Sequence, residues 1–198
     1  GAVVGRFSGE TSALLKCERT ALNLLQHMSG ISTATHAAVK AVEGTGASIV
    51  DTRKTLPGMR ALQKYAVTCG GGKNHRFNLS DAAMLKDNHI DAAGGITNAV
   101  EALRTKAGHM LSIEVETRNL DEVREALAAG AKIIMLDNMD AAEMSQAAEI
   151  VDGRALLEAS GNITLDNIRE KASAGIDIIS MGALTHSVTA FDISMKFE

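Results

Sequence analysis

Two kinds of charged residue recur in short polar clusters along this chain, with glycine turns beyond them. The cationic or proton-binding side chains are Arg53, Lys54, His75, Arg76 and Lys86, the carboxylates are Glu116 and Asp137, and Thr52 stands beside the first cations. The turns are Ser160-Gly161-Asn162 and Gly182-Ala183-Leu184, with His186 shortly after. Arginine offers a planar fork of N–H donors that matches carboxylate or phosphate, so this clustering in a chain of net charge -4 implies an anionic substrate. Two carboxylates are too few to enclose a divalent cation, but they can hold sugar hydroxyls or a magnesium ion shared with substrate and water. Glycine turns let backbone N–H groups approach a phosphate monoester. Each signal alone is weak, since a single strand-end Asp usually caps a helix and a single Lys is usually solvated. The Gly70-Gly71-Gly72-Lys73-Asn74 run lacks the phosphate-loop spacing and reads as a helix stop.

A parallel sheet would bring these scattered residues together. From residue 47 onward, short β-branched or apolar runs alternate with helical stretches ended by glycine. The expected strands are 48–51, 84–86, 111–116, 132–137, 155–158 and 177–180, and every one leads into hydrogen-bonding or charged residues. Closing such strands into an α/β barrel puts all their exits on one rim, and the last three start roughly 22 residues apart, a spacing that suits barrel units. Pro57 suits a first helical turn, Asn119 with Glu122 and Asp140 with Glu143 suit capping boxes, and Thr164 suits a cap. Gly70, Gly108, Gly130 and Gly175 read as helix stops.

Before the repeats, residues 11–28 place Leu14, Leu15, Ala21, Leu22, Leu25 and Met28 on one helical face, and a second helix is expected over 32–43, capped by Ser32 or Thr33. Residues 2–7 read as a strand. At the other end Phe191, Ile193, Met195 and Phe197 alternate with polar residues, the pattern of a half-buried strand. Both ends point to a second sheet that this chain supplies only in part.

Composition removes several classes. With 45% apolar and 22% charged residues, the 198-residue chain suits one well-filled core. Its negative charge and 3% aromatic content argue against a nucleic-acid partner. Neither a membrane-spanning run nor a secretory leader is visible, so a cytoplasmic protein without a membrane partner is expected. Cys17 and Cys69 read as buried thiols, and no histidine pair has zinc-site spacing, so a metal would take oxygen ligands.

The runs Leu15-Lys16-Cys17-Glu18-Arg19-Thr20-Ala21-Leu22-Asn23, Asp51-Thr52-Arg53-Lys54-Thr55 with Pro57-Gly58, and Lys64-Tyr65-Ala66-Val67 resemble the quinolinate phosphoribosyltransferase family. So do Asn74-His75-Arg76 after the triple glycine, Lys86-Asp87-Asn88-His89, Glu114-Val115-Glu116, Leu136-Asp137-Asn138, Glu158-Ala159-Ser160-Gly161-Asn162 and Phe191-Asp192-Ile193-Ser194. The resemblance covers nearly the whole chain. It implies an incomplete α/β barrel over 11–186, preceded by a sheet-and-helix domain of which only 1–10 is present, with 187–198 returning to that domain as a strand. It also implies transfer of phosphoribosyl from phosphoribosyl pyrophosphate to quinolinate with decarboxylation, in NAD biosynthesis. Arg53, His75, Arg76 and Lys86 would take the quinolinate carboxylates. Lys54 and Lys86 would serve pyrophosphate, and the Ser160 and Gly182 loops the 5-phosphate. Arg19 would reach the site of a neighbouring subunit in a homodimer or higher oligomer. Magnesium would accompany phosphoribosyl pyrophosphate, near Glu116 and Asp137 directly or through substrate or water. A phosphosugar isomerase barrel would explain the glycine turns but not the cations. A site for nicotinate would leave a cation unpaired.

Overall fold

Alternation along the middle strands sets the architecture. In a computed structural model, which describes residues 1–108 and 110–197, the sheet contains β1 (Ser48–Val50), β2 (Ala83–Leu85), β3 (Ile113–Thr117), β4 (Ile133–Asp137), β5 (Leu156–Ser160) and β6 (Ile178–Ser180). His109 and Glu198 fall outside the described residues. All pairings are parallel, in the order β1-β6-β5-β4-β3-β2. Chain order therefore closes on itself through β1 and β6, while β1 and β2 do not pair. This is the expected α/β barrel with one seam open, and its strand bounds differ from the sequence reading by about two residues at most.

Val115, Ile134, Leu136 and Ala159 are fully buried in the main core, together with Val123 and Ala126 of α5 (Leu120–Ala128) and Met144 and Ala147 of α6 (Ala141–Val151). Each large aliphatic side chain buried there contributes about 1.5–3 kcal/mol. Stability is thus supplied largely between sheet and outer helices, which frees the inward positions Glu114, Glu116, Met135, Asp137, Glu158 and Ser160 for polar work. The remaining helices are α2 (Arg60–Cys69), α3 (Asp87–Ala93), α4 (Ile96–Lys106), α7 (Ile168–Ala172) and α8 (Ala183–His186).

Several local expectations change. The two N-terminal helices are one helix, α1 (Thr11–Ala41), and Ser32 does not cap: its hydroxyl donates to Ala66 O at 2.7 Å and ties α1 to α2. Gly30 sits inside α1 because the tail crosses there; a Cβ at that position would lie 2.2 Å from Thr189 O. The expected apolar face is only partly covered, since Leu22 is buried but Leu15 and Leu25 are 56% and 43% exposed. Cys17 and Cys69 are exposed on α1 and α2 rather than buried. Residues 2–7 and the described tail form no ladder. The tail instead follows α1, with Phe191 N–H donating to Gln26 O at 2.9 Å and Gln26 Nε2 to Ile193 O at 2.7 Å.

Among the caps, Asp140 and Glu143 form the full reciprocal box. Asn119 accepts from Glu122 N–H, but the Glu122 carboxylate takes Arg118 N–H, one residue earlier than a box requires. Pro57 precedes α2 by a turn, and Asn167 rather than Thr164 adjoins the start of α7.

Candidate active site

The C-terminal ends of the strands surround a cleft of about 660 Å³. Its two walls carry opposite charge. On one side lie Arg53, Lys54, Arg60, Arg76 and Lys86; on the other, Glu116, Asp137 and Glu158 with Asn138 and Asn162. A second cavity, of about 560 Å³, lies at the opposite end of β1 and contains none of the strand exits.

The cationic wall is carried largely by irregular chain after β1 and across the seam. Lys54 N–H donates to Thr52 Oγ1 at 3.1 Å, and Lys54 O accepts from Thr185 Oγ1 at 2.8 Å, which joins this loop to α8. Arg60 braces it from α2, its guanidinium donating to Thr55 Oγ1, Phe77 O and Arg53 O at 3.0, 3.1 and 3.1 Å. Arg76 donates to Ala82 O at 2.9 Å and contacts Met84 Sδ at 3.5 Å. Neither Arg53, Lys54 nor Arg76 has an ion-pair partner among the described residues. Burial, and then the charge of Arg53, push the Arg76 pKa down. The charges of Glu114 and Glu158 act in the opposite direction, and an anion between the two guanidinium groups would relieve their mutual repulsion.

His75 stands between the walls. Its Nε2 lies 3.3 Å from Glu114 Oε2 and 3.4 Å from Glu158 Oε2, and its Nδ1 accepts Arg76 N–H at 2.8 Å. Burial is the largest single influence and opposes charging the ring, but hydrogen bonds and charge from both glutamates together outweigh it and raise the His75 pKa to about 9. With Arg76 N–H directed at Nδ1, the proton assigned by these contacts is on Nε2, shared by the two carboxylates; charging the ring requires the Nδ1 contact to open. Glu114 and Glu158 each keep one buried oxygen without a protein partner. Burial pushes the Glu114 pKa up.

The carboxylate wall stands on the β-ladder. Glu116 is in register with Met135, and Asp137 with Ser160. Lys86 Nζ lies 3.5 Å from Glu116 Oε2. Burial raises the Glu116 pKa, Lys86 counteracts this, and the negative charge of Asp137 adds to the rise. At the rim, Asn138 and Asn162 both take left-handed backbone conformations, with φ of 57° and 48°. Their side chains interlock: Asn138 Nδ2 donates to Asp137 Oδ2 at 2.9 Å and Asn162 Nδ2 to Asn138 Oδ1 at 3.0 Å. Gly161, at φ +89°, lies so close that a Cβ would be 2.2 Å from Asn138 Oδ1.

Thr52, Arg53, Lys54, His75, Arg76, Lys86, Glu116, Asp137, Ser160, Gly161 and Asn162 thus come together. Gly182 adjoins them, since a Cβ there would meet Lys54 Cδ at 3.1 Å, and Ala183 and His186 follow in α8. The Leu184 side chain is 3% exposed and packs in the core, which leaves only its backbone for a ligand. The His186 ring lies against Ser187 Oγ at 2.7 Å. Arg19 is exposed on α1 and does not line the cleft. Arg60, Met84, Met135, Asn138, Glu158 and Ser180 line it without having been singled out as site residues from sequence. Period-two placement beside Glu114, Glu116 and Asp137 marks Met84, Met135 and Glu158 as inward; nothing in the sequence marks Arg60.

Residues 31–196 match the family described as quinolinate phosphoribosyl transferase, C-terminal domain. The chain is 48% identical over 195 residues to a probable nicotinate-nucleotide pyrophosphorylase [carboxylating] of Bacillus subtilis, covering 98% of this chain and 68% of the relative. It is 50% identical over 185 residues to the nicotinate-nucleotide pyrophosphorylase [carboxylating] of Mycobacterium leprae, covering 92% and 65%. The crystal structure of NadC from Streptococcus pyogenes superposes with a TM-score of 0.92 at 49% identity, covering 96% of this chain and 66% of that one. The chain therefore spans about two thirds of the length of these relatives.

Proposed function

The chain belongs to the quinolinate phosphoribosyltransferase family, whose members make nicotinate mononucleotide for NAD biosynthesis, and we propose that the strand-exit cleft is where this chain does so. The observation that carries the assignment is the facing of three cations without ion-pair partners among the described residues, Arg53, Lys54 and Arg76, by the carboxylates Glu116 and Asp137 across one cleft. Quinolinate brings two carboxylates to the first wall, where Arg53 and Arg76 hold them, with His75 behind. Met84 and Met135 are the apolar side chains lining the cleft, and they give the flat pyridine ring a surface to lie on.

The ring nitrogen is a poor nucleophile, so the bond from the anomeric carbon to pyrophosphate breaks early and positive charge develops on the sugar. Glu116 and Asp137 hold the ribose hydroxyls and stabilise that charge, while Lys54 and Lys86 offset the charge on departing pyrophosphate. Ser160, Gly161, Asn162 and the Gly182–Ala183 turn fix the 5-phosphate. The nitrogen lone pair then forms the new N–C bond. Quaternised nitrogen stabilises the electron pair left on the adjacent carbon when its carboxylate departs as carbon dioxide, and a proton from solvent fills that position.

The donor set fits magnesium, since Glu116 and Asp137 repel one another and present only part of a coordination sphere. When bound with phosphoribosyl pyrophosphate, magnesium supplies charge neutralisation of the diphosphate. Arg19 and the exposed Leu15 and Leu25 on α1 support a homodimer in which this helix covers the partner's barrel. Mixing Arg19→Ala with Arg53→Ala variants should then restore activity in exchanged dimers, because one site collects both defects and the other neither. A mixture as inactive as its parents would remove Arg19 from the shared site. No helix of the described residues is long and apolar enough to cross a membrane.

The reaction is tested by incubating the full-length protein with quinolinate, phosphoribosyl pyrophosphate and magnesium and measuring nicotinate mononucleotide and carbon dioxide. Stoichiometric release of both, abolished by chelator, is expected. Product formed from nicotinate without carbon dioxide would assign the cleft to the monocarboxylate instead.

A further inference from the structure

Lys64 and Asp51 take no part in the chemistry above, yet they are 2% and 0% exposed. A buried ion pair is weak evidence for stability, because desolvation offsets most of the attraction. What the pair touches is more informative. Lys64, on α2, donates to an Asp51 carboxylate oxygen and, at 2.8 Å, to the backbone carbonyl of His75. The same Asp51 oxygen accepts His75 N–H at 2.9 Å. The Asn74 amide, oriented by its neighbouring acceptors, donates to the other Asp51 oxygen at 2.6 Å and to Lys64 O at 2.9 Å.

Both main-chain polar groups of His75 are therefore satisfied by this one pair. In a sheet a neighbouring strand would do this, but here the ladder runs out: the free edge of β1 takes only Lys73, through Lys73 N–H to Ile49 O at 2.8 Å and Asp51 N–H to Lys73 O at 3.3 Å. Beyond Lys73 the chain enters the open seam between β1 and β2 and must still deliver His75 and Arg76 to the cleft. An apolar pair of equal size would leave the His75 N–H and C=O without these partners in a partly buried place.

We propose that Asp51 and Lys64 are positioning residues: they replace the missing strand pairing across the seam and so hold Arg76 and His75 at the quinolinate end of the cleft. This rests on the quinolinate reading of the cationic wall. The pair clamps the backbone from the β1 side, while Glu114 and Glu158 take the His75 ring and Ala82 O takes Arg76 from within the barrel. The segment is thereby fixed in direction as well as position. Among the described residues the Ser160 and Gly182 turns make no hydrogen bond to it, so phosphoribosyl pyrophosphate binding should be insensitive to the pair.

The test compares Lys64→Met, Asp51→Asn and the double substitution Lys64→Met/Asp51→Leu with wild type in the full-length protein. Calorimetry with quinolinate and with phosphoribosyl pyrophosphate is measured separately, alongside KM values and thermal unfolding. A small misplacement of binding groups lowers activity steeply, so quinolinate affinity should fall by about tenfold or more in Lys64→Met and in the double variant, with phosphoribosyl pyrophosphate affinity nearly unchanged. Asp51→Asn keeps an acceptor for His75 N–H and should retain more affinity than the double variant. Equal losses for both ligands, or a folded double variant with wild-type quinolinate affinity, would overturn the inference. Failure of wild type itself to bind quinolinate would instead overturn the reading of the wall. Should the variants not fold, hydrogen exchange on wild type decides: the His75 amide should be protected like that of Ser48, whose N–H donates to Asp177 O at 2.9 Å, and exchange as fast as that of the exposed Leu79 would refute the clamp.

Discussion

The carboxylate wall and the cationic wall of the cleft are held by different means. Glu116, Asp137 and Ser160 sit on three consecutive strands, Asp137 in direct register with Ser160 and Glu116 with Met135, two residues before Asp137. Arg53, Lys54, His75 and Arg76 sit on loop and seam chain, where side chains of Arg60, Asp51 and Lys64 replace ladder bonds. A ladder distributes its load over many backbone bonds, so removing one side chain changes chemistry without moving the frame. A wall braced by side chains can lose its geometry with a single substitution. The sugar half of the site is rigid by construction, and the heterocycle half depends on a few buried polar contacts.

Lys86 lies where the walls meet, beside Glu116, and offers the largest effect. Lys86→Ala should lower kcat by about 10²–10³-fold, since it removes charge stabilisation that grows in the transition state. Single-turnover measurement would show this, and an effect confined to KM would shift Lys86 from chemistry to binding. Next, Arg53→Ala should weaken quinolinate binding by about 100-fold through loss of a charge-assisted bidentate contact, with phosphoribosyl pyrophosphate nearly unaffected. Equal losses in calorimetry would mean that the walls are not separate in function.

Gly161→Ala should act on the opposite wall. Its Cβ would collide with Asn138 at a left-handed backbone position, so phosphoribosyl pyrophosphate affinity should fall by about tenfold and stability by about 1–2 kcal/mol. A preferential loss of quinolinate would misassign the turn. The smallest effect concerns His75, whose pKa is raised from 6.5 to about 9 in the folded protein. A raised pKa means that its contribution to stability is complete below 6.5 and disappears as pH climbs through 9. The stability difference between wild type and His75→Gln in urea titrations should therefore shrink from pH 6 to pH 9.5, and a constant difference would show that the ring stays neutral throughout.

Local pattern made much of this legible. Short apolar runs separated by helical, glycine-stopped segments located all six strands, because strand and helix periods are properties of neighbouring residues. The polar exits were equally visible, since inward positions follow from period two. The ends of the chain were less so. The apolar alternation at 191–197 is real, but a strand needs a partner, and the tail follows α1 without a ladder. Residues 11–41 looked like two helices because Ser32 is an excellent cap by itself; only packing against α2 gives its hydroxyl a better acceptor in Ala66 O.

What the sequence by itself determined is therefore the barrel, its polar rim and the types of charge available, all carried by short-range periodicity and residue chemistry. Tertiary structure alone decided which of those charges are unpaired, that β1 and β2 leave a seam, and that Asp51 and Lys64 meet there across α2 and β1. Those outcomes depend on distances between residues far apart in the chain. Nothing local in Lys64 distinguishes a solvated lysine from a buried clamp, since the difference lies in what the fold brings beside it.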